Sequence, residues 1–386
     1  MYYIALKMLF GDKAKYFAMI IGITFAAWMM TQQPSILIGL LSRTQSFIKD
    51  IPDPDIWVMD PGVQFVEESK PMRNVELLKV RGINGILWAT PLYKSLVRAK
   101  MPDGSLATLD MTGVDNSTFI GSPYKIISQN INDFKRPDAI FVDKEAANNR
   151  LRVETGNGIS RPLAIGDTIE INDKRAIVVG FVSSTRNFVL QPQVFTTYSN
   201  ALKYASQTRK TLGYILVKAK QGVDHKKLAR HISEVTGLSA RTSEEFKQHN
   251  LDYWMNNTGI LINFGITVML GFIVGAAIAG QTFYGFVLES LRHYAVLKAM
   301  GVTNGLIVRL VLLQAATIGF IGYGIGVGLT ALFGTNLQDS VLAFKMPPIL
   351  LLFAASGILV IITFSALLGI RKVTSVDPAK VFRGGL

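Results

Sequence analysis

The 386-residue sequence contains no cysteine and only four histidines. The missing cysteine excludes disulfide scaffolds, thiol catalysis and cysteine-ligated zinc or iron–sulfur sites. The motifs G-x-x-x-x-G-K-S/T, G-x-S-x-G and H-E-x-x-H are also absent from the sequence, so it offers no P-loop, no hydrolase nucleophile elbow and no zinc-protease helix. We therefore expect no catalytic residue, no metal ligand and no cofactor bound by this chain itself.

Charged residues are scarce as well, at 17%, against roughly 25% in soluble globular proteins. Apolar residues make up 49% of the sequence, and the mean hydropathy is +0.32. Four apolar stretches meet the length of about 20 residues that a membrane-spanning helix needs. They cover residues 16–41, 258–288, 306–333 and 348–370. The sequence therefore predicts a membrane protein with four transmembrane α-helices, one followed by three after a large insertion.

Basic residues near the span ends predict the orientation, because loops that stay in the cytoplasm carry an excess of lysine and arginine. Such residues occur in the amphipathic amino terminus 1–15, in and just after the connection 289–305 and in the tail 371–386: Lys7, Lys13, Lys15, Arg292, Lys298, Arg309 (at the start of the third span), Arg371, Lys372, Lys380 and Arg383. The short outer loop 334–347 has only Lys345. We expect both termini in the cytoplasm, and the formal charge of +13 then requires no nucleic-acid partner.

The long segment 42–257 has an ordinary mixed composition, and its pattern predicts an α+β domain that faces outward. Two hairpins are predicted, one around Pro102-Asp103-Gly104-Ser105 and one around Asn172-Asp173-Lys174, since such polar residues favour tight turns between strands. Residues 243–255 are predicted to form a helix that continues into the second span.

The segment Glu289–Gly301, with the sequence ESLRHYAVLKAMG, follows the second span. It is amphipathic and ends at a glycine, a common helix C-cap signal. Judged from these residues alone, an interfacial helix that merely reverses the chain direction is an equally good interpretation.

An acidic residue, a basic residue and then Ala-Val-Leu-Lys-Ala-Met-Gly resemble the signature that follows the second span of FtsX/MacB-type ABC transporter permeases, the type VII or mechanotransmission group. The layout with a large domain between spans one and two is similar too, as is the tail Val376–Arg383. Within the group, Asp55–Asp60 and Gln191–Thr196 look most like the DevC branch. The resemblance covers essentially the whole chain.

This resemblance implies a permease subunit in the bacterial inner membrane whose inserted domain is a MacB-like periplasmic core. The expected partners are a second copy of the chain, a separate ABC ATPase that holds ATP and magnesium, a HlyD-type periplasmic adaptor, a TolC-type outer-membrane channel and membrane lipids. The expected function is ATP-driven efflux of a hydrophobic or lipid-like cargo. An FtsX-like scaffold that acts on a cell-wall hydrolase, a LolC/LolE-like lipoprotein-release permease and an HrtB-like haem exporter are the alternatives.

The resemblance also assigns roles to the segment after the second span. The residues expected to couple the permease to the ATPase are Glu289, Arg292, Tyr294, Leu297, Lys298, Met300 and Gly301.

Two further groups of residues stand out within the spans. Residues expected to contact substrate or a second copy are Trp28, Met29, Met30, Gln32, Gln33 and Asn263; the alternative is that their polar groups bond across the bundle or relieve the backbone near Pro34. Small residues expected to let helices pack closely, within the chain or against a second copy, are Gly271, Gly275, Gly324 and Gly328, although glycine is common in membrane helices in any case.

Overall fold

The computed structural model of the chain describes residues 2–123, 125–127, 131–155, 159–205, 211–336 and 342–375. It divides into two compact units. A helical unit combines Met1–Leu40 with Gly259–Leu386, and an α+β unit comprises Leu41–Thr258. The tail motif Val376–Arg383 lies outside the described residues.

The described helices are α1 Tyr2–Gly11, α2 Lys13–Thr44, α3 Ser46–Asp50, α4 Val75–Arg81, α5 Lys144–Asn149, α6 Tyr198–Tyr204, α7 His225–Thr236, α8 Ser243–Asn257, α9 Ile260–Glu289, α10 Leu291–Ala299, α11 Asn304–Asn336 and α12 Pro348–Thr374, with a 3-10 helix at Ile131–Lys135. Helices α2, α9, α11 and α12 are long and apolar enough to cross a membrane. The predicted fold class, with one span before the α+β unit and three after it, is confirmed.

Helix α2 packs against each of the other three membrane-length helices. A Cβ atom on Gly22 would lie 2.7 Å from Ile278 of α9, and one on Gly322 of α11 would lie 2.7 Å from Ile23. Small residues at these positions let the backbones approach closely. The hydroxyls of Thr31 and Thr330 form a 2.6 Å hydrogen bond between α2 and α11. Thr31 thus has a buried partner on α11, and α2 continues as one helix through this polar position.

The described strands of the α+β unit are β1 Ile56–Met59, β2 Ile86–Lys100, β3 Leu106–Val114, β4 Lys125–Ile126, β5 Ala139–Asp143, β6 Val153–Thr155, β7 Ile159–Arg161, β8 Thr168–Ile171, β9 Lys174–Ser183, β10 Gln193–Thr197, β11 Tyr214–Ala219 and β12 Ser239–Thr242. Ten of them form one mixed sheet in the order β12-β1-β11-β2-β3-β10-β5-β9-β4, with β8 paired to β2 and β9. Strands β6 and β7 form a separate hairpin.

Both predicted hairpins form. Strands β2 and β3 pair in antiparallel register from Tyr93–Gly113 to Lys100–Leu106. Strands β8 and β9 are joined by Asn172 and Asp173, whose φ angles are 46° and 62°. Two consecutive residues with positive φ define the tight turn whose twist matches that of a hairpin.

The prediction that the helix near residues 243–255 continues into the second span is wrong. Helix α8 starts with a capping box, in which Thr242 and Glu245 satisfy each other's backbone N–H groups. It ends at Asn257, and α9 begins at Ile260. The break falls at Gly259, whose φ of +66° is incompatible with a continuous α-helix.

Candidate functional site

Helix α10 occupies most of the segment that the sequence singled out after the second span. It begins after Ser290, one residue beyond the end of α9, and it ends before Gly301. Gly301 has a φ of +91°, and its N–H donates to the carbonyl of Lys298 at 2.9 Å. Only glycine adopts this backbone conformation without strain, so the glycine of the motif fixes the direction in which the chain leaves α10.

The inner face of α10 is buried in the helical unit. Leu291, Tyr294, Ala295 and Leu297 are all nearly inaccessible. The hydroxyl of Tyr294 donates to Oε1 of Gln314 on α11 at 2.8 Å, and Nε2 of Gln314 donates to the carbonyl of Ala5 on α1 at 2.8 Å. A buried polar chain with its partners in place holds its members in one arrangement. It links α10, α11 and α1.

Lys298 attaches α10 to the last turn of α12. Its Nζ donates to the carbonyls of Val373 and Thr374 at 3.1 and 3.0 Å. The last carbonyls of a helix lack partners inside the helix and carry the negative end of its dipole. Lys298 thus caps α12, and its charge is not a free docking group.

A third attachment lies where α9 ends. The ammonium of Lys15, near the start of α2, forms an ion pair with the carboxylate of Glu289. Lys15 also lies 3.4 Å from the carboxylate of Asp12, which precedes α2. The segment between α9 and α11 is therefore tied to α1, α2, α11 and α12.

The outer face of α10 consists of Arg292, His293, Val296, Ala299 and Met300, which are all exposed. Their spacing places them on one side of a helix. Met300 is 66% exposed, unusually open for a large apolar side chain. This face combines apolar and cationic groups on a rigidly held helix, an arrangement suited to docking a protein partner.

A groove of about 600 Å³ runs beside this face, between α1 and the end of α9. Its lining includes Tyr3, Lys7, Phe286, Glu289 and His293. Within the described ranges, no three His, Asp or Glu side chains come together as a metal site.

The structure divides the seven predicted coupling residues into two groups. Arg292 and Met300 lie on the exposed face, and Glu289 is exposed but paired with Lys15. Tyr294, Leu297, Lys298 and Gly301 act inside the helical unit or in its turn. The sequence did not single out Gln314, Ala5 or Lys15 as members of this site. For Gln314 a signal existed, since an amide within an apolar span needs a partner.

The predicted substrate or dimer residues on α2 lie mostly against neighbouring helices. Met30 is buried against Gly357 of α12, and Met29 lies opposite Gly271 of α9. Flexible methionine side chains fill the space that glycine leaves. Nε2 of Gln33 donates to Oε1 of Gln32 at 2.9 Å, so the two amides partly satisfy each other.

The other two predicted substrate or dimer residues, Trp28 and Asn263, are less closely packed within the chain. Trp28 of α2 is half-buried, and its indole nitrogen has no hydrogen-bond partner within the described part of the chain. Asn263 is exposed on the first turn of α9. Contact of this group with cargo or with a second copy remains a prediction.

The four glycines expected to let helices pack closely lie in two different surroundings. Gly271 and Gly275 of α9 lie against Met29 and Ala26 of α2. A Cβ atom on Gly324 or Gly328 would meet no described atom within 4 Å. The glycines of α11 that lie against α2 are Gly322 and Gly326, two residues away and hence on the opposite side of the helix. A contact of Gly324 and Gly328 with another chain remains a prediction.

Comparison with known proteins identifies the family. The MacB-like periplasmic core domain model matches residues 16–235, and the FtsX-like permease C-terminal model matches residues 261–378. The chain is 26% identical over 333 residues to the uncharacterized ABC transporter permease Rv0072 of Mycobacterium tuberculosis, covering 82% of this chain and 80% of the relative. The permease Rv2563 of the same organism is 24% identical over 226 residues, covering 57% and 58%.

Among solved structures, the periplasmic region of MacB from Actinobacillus actinomycetemcomitans is similar, with a TM-score of 0.36 and 16% identity, covering 52% of this chain and 94% of that one. The extracellular domain of the noncanonic ABC-type transporter YknZ from Gram-positive bacteria has a TM-score of 0.33 and 11% identity, covering 49% and 98%.

The two family models together cover most of the chain, each over its expected part. The protein is thus a multi-pass ABC transporter permease. It belongs to the MacB/FtsX family, whose permeases work with an ATPase subunit.

Proposed function

We propose that this permease transmits the motion of a separate ABC ATPase from α10 to the outward domain, and that this motion drives efflux. The observation that carries the proposal is the division of α10 into an anchored inner face and an exposed outer face. A force applied at Arg292 or Met300 reaches the other helices through Tyr294, Lys298 and the Lys15–Glu289 pair.

Helix α10 is attached both by a buried hydrogen bond between side chains and by hydrogen bonds to backbone carbonyls. Together these bonds support a rigid connection. The Tyr294–Gln314 bond is buried and joins neutral groups, so salt does not screen it. The bonds from Lys298 go to backbone carbonyls, which cannot change rotamer. A displacement of α10 would therefore move α1, α11 and α12 with it.

The proposal extends to the assembly. The efflux unit would be a homodimer of this chain with two ATPase subunits, in the inner membrane with both termini cytoplasmic. The outward domain would engage a HlyD-type adaptor and a TolC-type channel to expel a hydrophobic or lipid-like cargo. The similarity of two segments to the DevC branch supports this assembly, and large exposed apolar side chains such as Ile262, Met269 and Leu270 on α9 support contact with lipid or a second copy.

The test is co-purification of the full chain from its native membrane. Mass spectrometry of the wild-type complex should find a protein that carries a P-loop ATPase motif, and the preparation should hydrolyse ATP. The double variant Arg292→Glu/Met300→Glu should co-purify with at least tenfold less of that protein. Its docking face is altered, whereas the inner face of α10 is intact. Lys345→Glu, in the short outer loop, is the matched charge-reversal control.

Thermal unfolding of both variants confirms that they are folded. An ATPase retained in full by the double variant would show that the exposed face of α10 does not dock it. Absence of any P-loop protein from the wild-type complex would contradict the proposal as a whole.

A further inference from the structure

The loop between β1 and α4, residues 60–74, is held from both sides at Val66. The N–H of Val66 donates to Oδ1 of Asn250 at 3.0 Å. The carbonyl of Val66 accepts a hydrogen bond from the Tyr214 hydroxyl at 2.8 Å. Asn250 and Tyr214 are both fully buried, so the position of this loop is set inside the α+β unit.

Asn250 has a second partner. Its Nδ2 donates to the carbonyl of Thr44, the residue that ends α2. Asn250 itself lies on α8, the helix that precedes the second span in the sequence. We call Thr44, Val66, Tyr214 and Asn250 the Asn250 clamp. It joins the loop to both segments through which the α+β unit continues into membrane-length helices.

Glu67 follows directly after the clamped residue. Both of its carboxylate oxygens are buried, and neither has a hydrogen-bond partner among the described residues. A buried ionised carboxylate without partners is costly, whereas the neutral acid is much less so. The site therefore favours a bound proton.

The nearest charges do not supply a partner. Lys94 donates to both carboxylate oxygens of Asp110, at 2.8 and 2.7 Å, and its Nζ lies 3.8 Å from the centre of the Phe47 ring. Asn187 donates to Asp110 at 2.8 Å. The ammonium of Lys94 is thus committed to Asp110, and Glu67 is left near a second carboxylate without an ammonium of its own. When like charges share a site, one of the two acids holds its proton more tightly.

The titration behaviour of the surroundings agrees with this geometry. Burial raises the pKa of Glu67 to about 7; Lys94 opposes the rise, Asp110 adds to it, and a smaller lowering comes from the backbone N–H of Glu67 itself. Burial, with Glu67, Glu68 and Asp110, raises the pKa of Tyr214 well above its usual value, so Tyr214 stays neutral.

A histidine beside the same loop also titrates, but its pKa lies below that of Glu67. Burial, helped by Arg241, lowers the pKa of His249, which also bonds the backbone of Val63 in the loop; Asp252 opposes the lowering. His249 therefore titrates below its ordinary value of about 6.5, on the acid side of Glu67.

We propose that Glu67 is a proton-binding site whose occupancy sets how firmly the Asn250 clamp holds loop 60–74. With the proton bound, the neutral carboxyl stays buried and the loop is closed. When the proton is lost to water, the carboxylate stands near Asp110 without a partner, and the loop opens to hydrate it. The pH of the compartment around the α+β unit would thereby control the link between its two membrane-connected segments.

The test is hydrogen exchange of the full chain in lipid nanodiscs, measured by mass spectrometry between pH 5.5 and 9. The amide of Val66 reports the clamp directly, because it donates to Asn250. After correction for the intrinsic exchange rate, protection of peptides that cover residues 63–69 should fall about tenfold per pH unit above pH 7, as loss of a single proton requires.

In Glu67→Gln, which carries a permanently neutral side chain of the same shape, protection should stay high and should not change with pH. The neighbouring Glu68→Gln is the matched control and should behave like the wild type. Protection of the β2–β3 hairpin in each sample shows that the domain is folded.

Three results would overturn the proposal. The first is a wild-type protein whose corrected protection does not vary with pH. The second is a pH dependence that survives in Glu67→Gln. The third is a pH dependence that disappears in His249→Gln while Glu67 is intact, because the titrating group would then be His249. None of these measurements requires the ATPase, so they are independent of the proposed transport function.

Discussion

The phenol of Tyr294 and the amide of Gln314 meet at 2.8 Å, 20 residues apart in sequence, with both side chains buried. The same amide donates to the Ala5 carbonyl. One glutamine in the third span thus holds the motif helix α10 and the amino-terminal helix α1 together. Separating these helices would leave buried polar groups without partners, at about 1–3 kcal/mol for each group.

Removing one hydroxyl tests this connection. Tyr294→Phe should lower the free energy of unfolding by about 1–3 kcal/mol, because it leaves Oε1 of Gln314 buried without a donor. Tyr284→Phe, on the more exposed part of α9, is the control and should be close to neutral. Thermal unfolding in detergent measures both variants. Equal melting temperatures would show that the Tyr294 bond contributes nothing to holding α10.

Lys298 and Arg292 are both cations on the same short helix, yet the structure gives them different roles. Lys298→Met should lower the free energy of unfolding by about 1–2 kcal/mol, because two carbonyls at the end of α12 lose their donor. Arg292→Met should leave stability unchanged and weaken only ATPase co-purification. A loss of stability in Arg292→Met larger than in Lys298→Met would reverse the assignment.

The third span offers a matched pair of glycines. Gly326→Leu should destabilise the helical unit by about 1–3 kcal/mol or more, since the new side chain would overlap α2 near Ala27. Gly328→Leu enters open space within the chain and should be tolerated. Thermal unfolding compares the two. A dimer weakened only by Gly328→Leu, measured by light scattering, would support the predicted contact of Gly324 and Gly328 with a second copy.

Much of the fold could be predicted because the signals are local. Four apolar runs specify the spans, and Asn172-Asp173 specifies a turn with two positive φ angles. The choice between Gly322 and Gly324 could not be predicted, because both belong to glycine series with a spacing of four. Which series meets α2 depends on the rotation of α11, and that is set by long-range packing.

The roles of the site residues could also be predicted only in part, because they too depend on long-range packing. The segment Glu289–Gly301 was recognisable from its sequence, but the separate roles of its residues were not. Lys298 looks like a docking charge until the end of α12, some 75 residues later, is placed beside it. Glu67 gave no signal in sequence, since a glutamate in a polar loop is ordinarily exposed. Its burial follows from the bonds that Tyr214 and Asn250 make to Val66.

The buried ion pair of Lys94 and Asp110 in the α+β unit should be sensitive to the loss of one partner. Lys94→Met would leave Asp110 buried beside Glu67 without its ammonium, and we expect a loss of about 3–5 kcal/mol of stability. Lys94→Met/Asp110→Leu removes both charges and should recover most of that loss. Chemical denaturation measures the two variants. A double variant less stable than the single one would show that the pair itself, and not the orphaned charge, matters.

The stability of the α+β unit should also depend on pH through Glu67. The raised pKa means that the folded state keeps this proton up to about pH 7, whereas the unfolded chain releases it near pH 4.3. Between these values the folded state binds more protons, so stability falls as pH rises through the window. The decrease attributable to Glu67 should be up to about 4 kcal/mol, at 1.36 kcal/mol per pH unit.

Other carboxylates titrate in the acid half of this window, so the informative quantity is the difference between the wild type and Glu67→Gln. Glutamine cannot ionise, and its neutral amide approximates the protonated acid. The two proteins should therefore have similar stability near pH 4.5, and the variant should be the more stable one at pH 8. Denaturant unfolding at several pH values measures this difference. A difference that stays constant from pH 4.5 to pH 8 would mean that Glu67 has the same pKa in the folded and unfolded states.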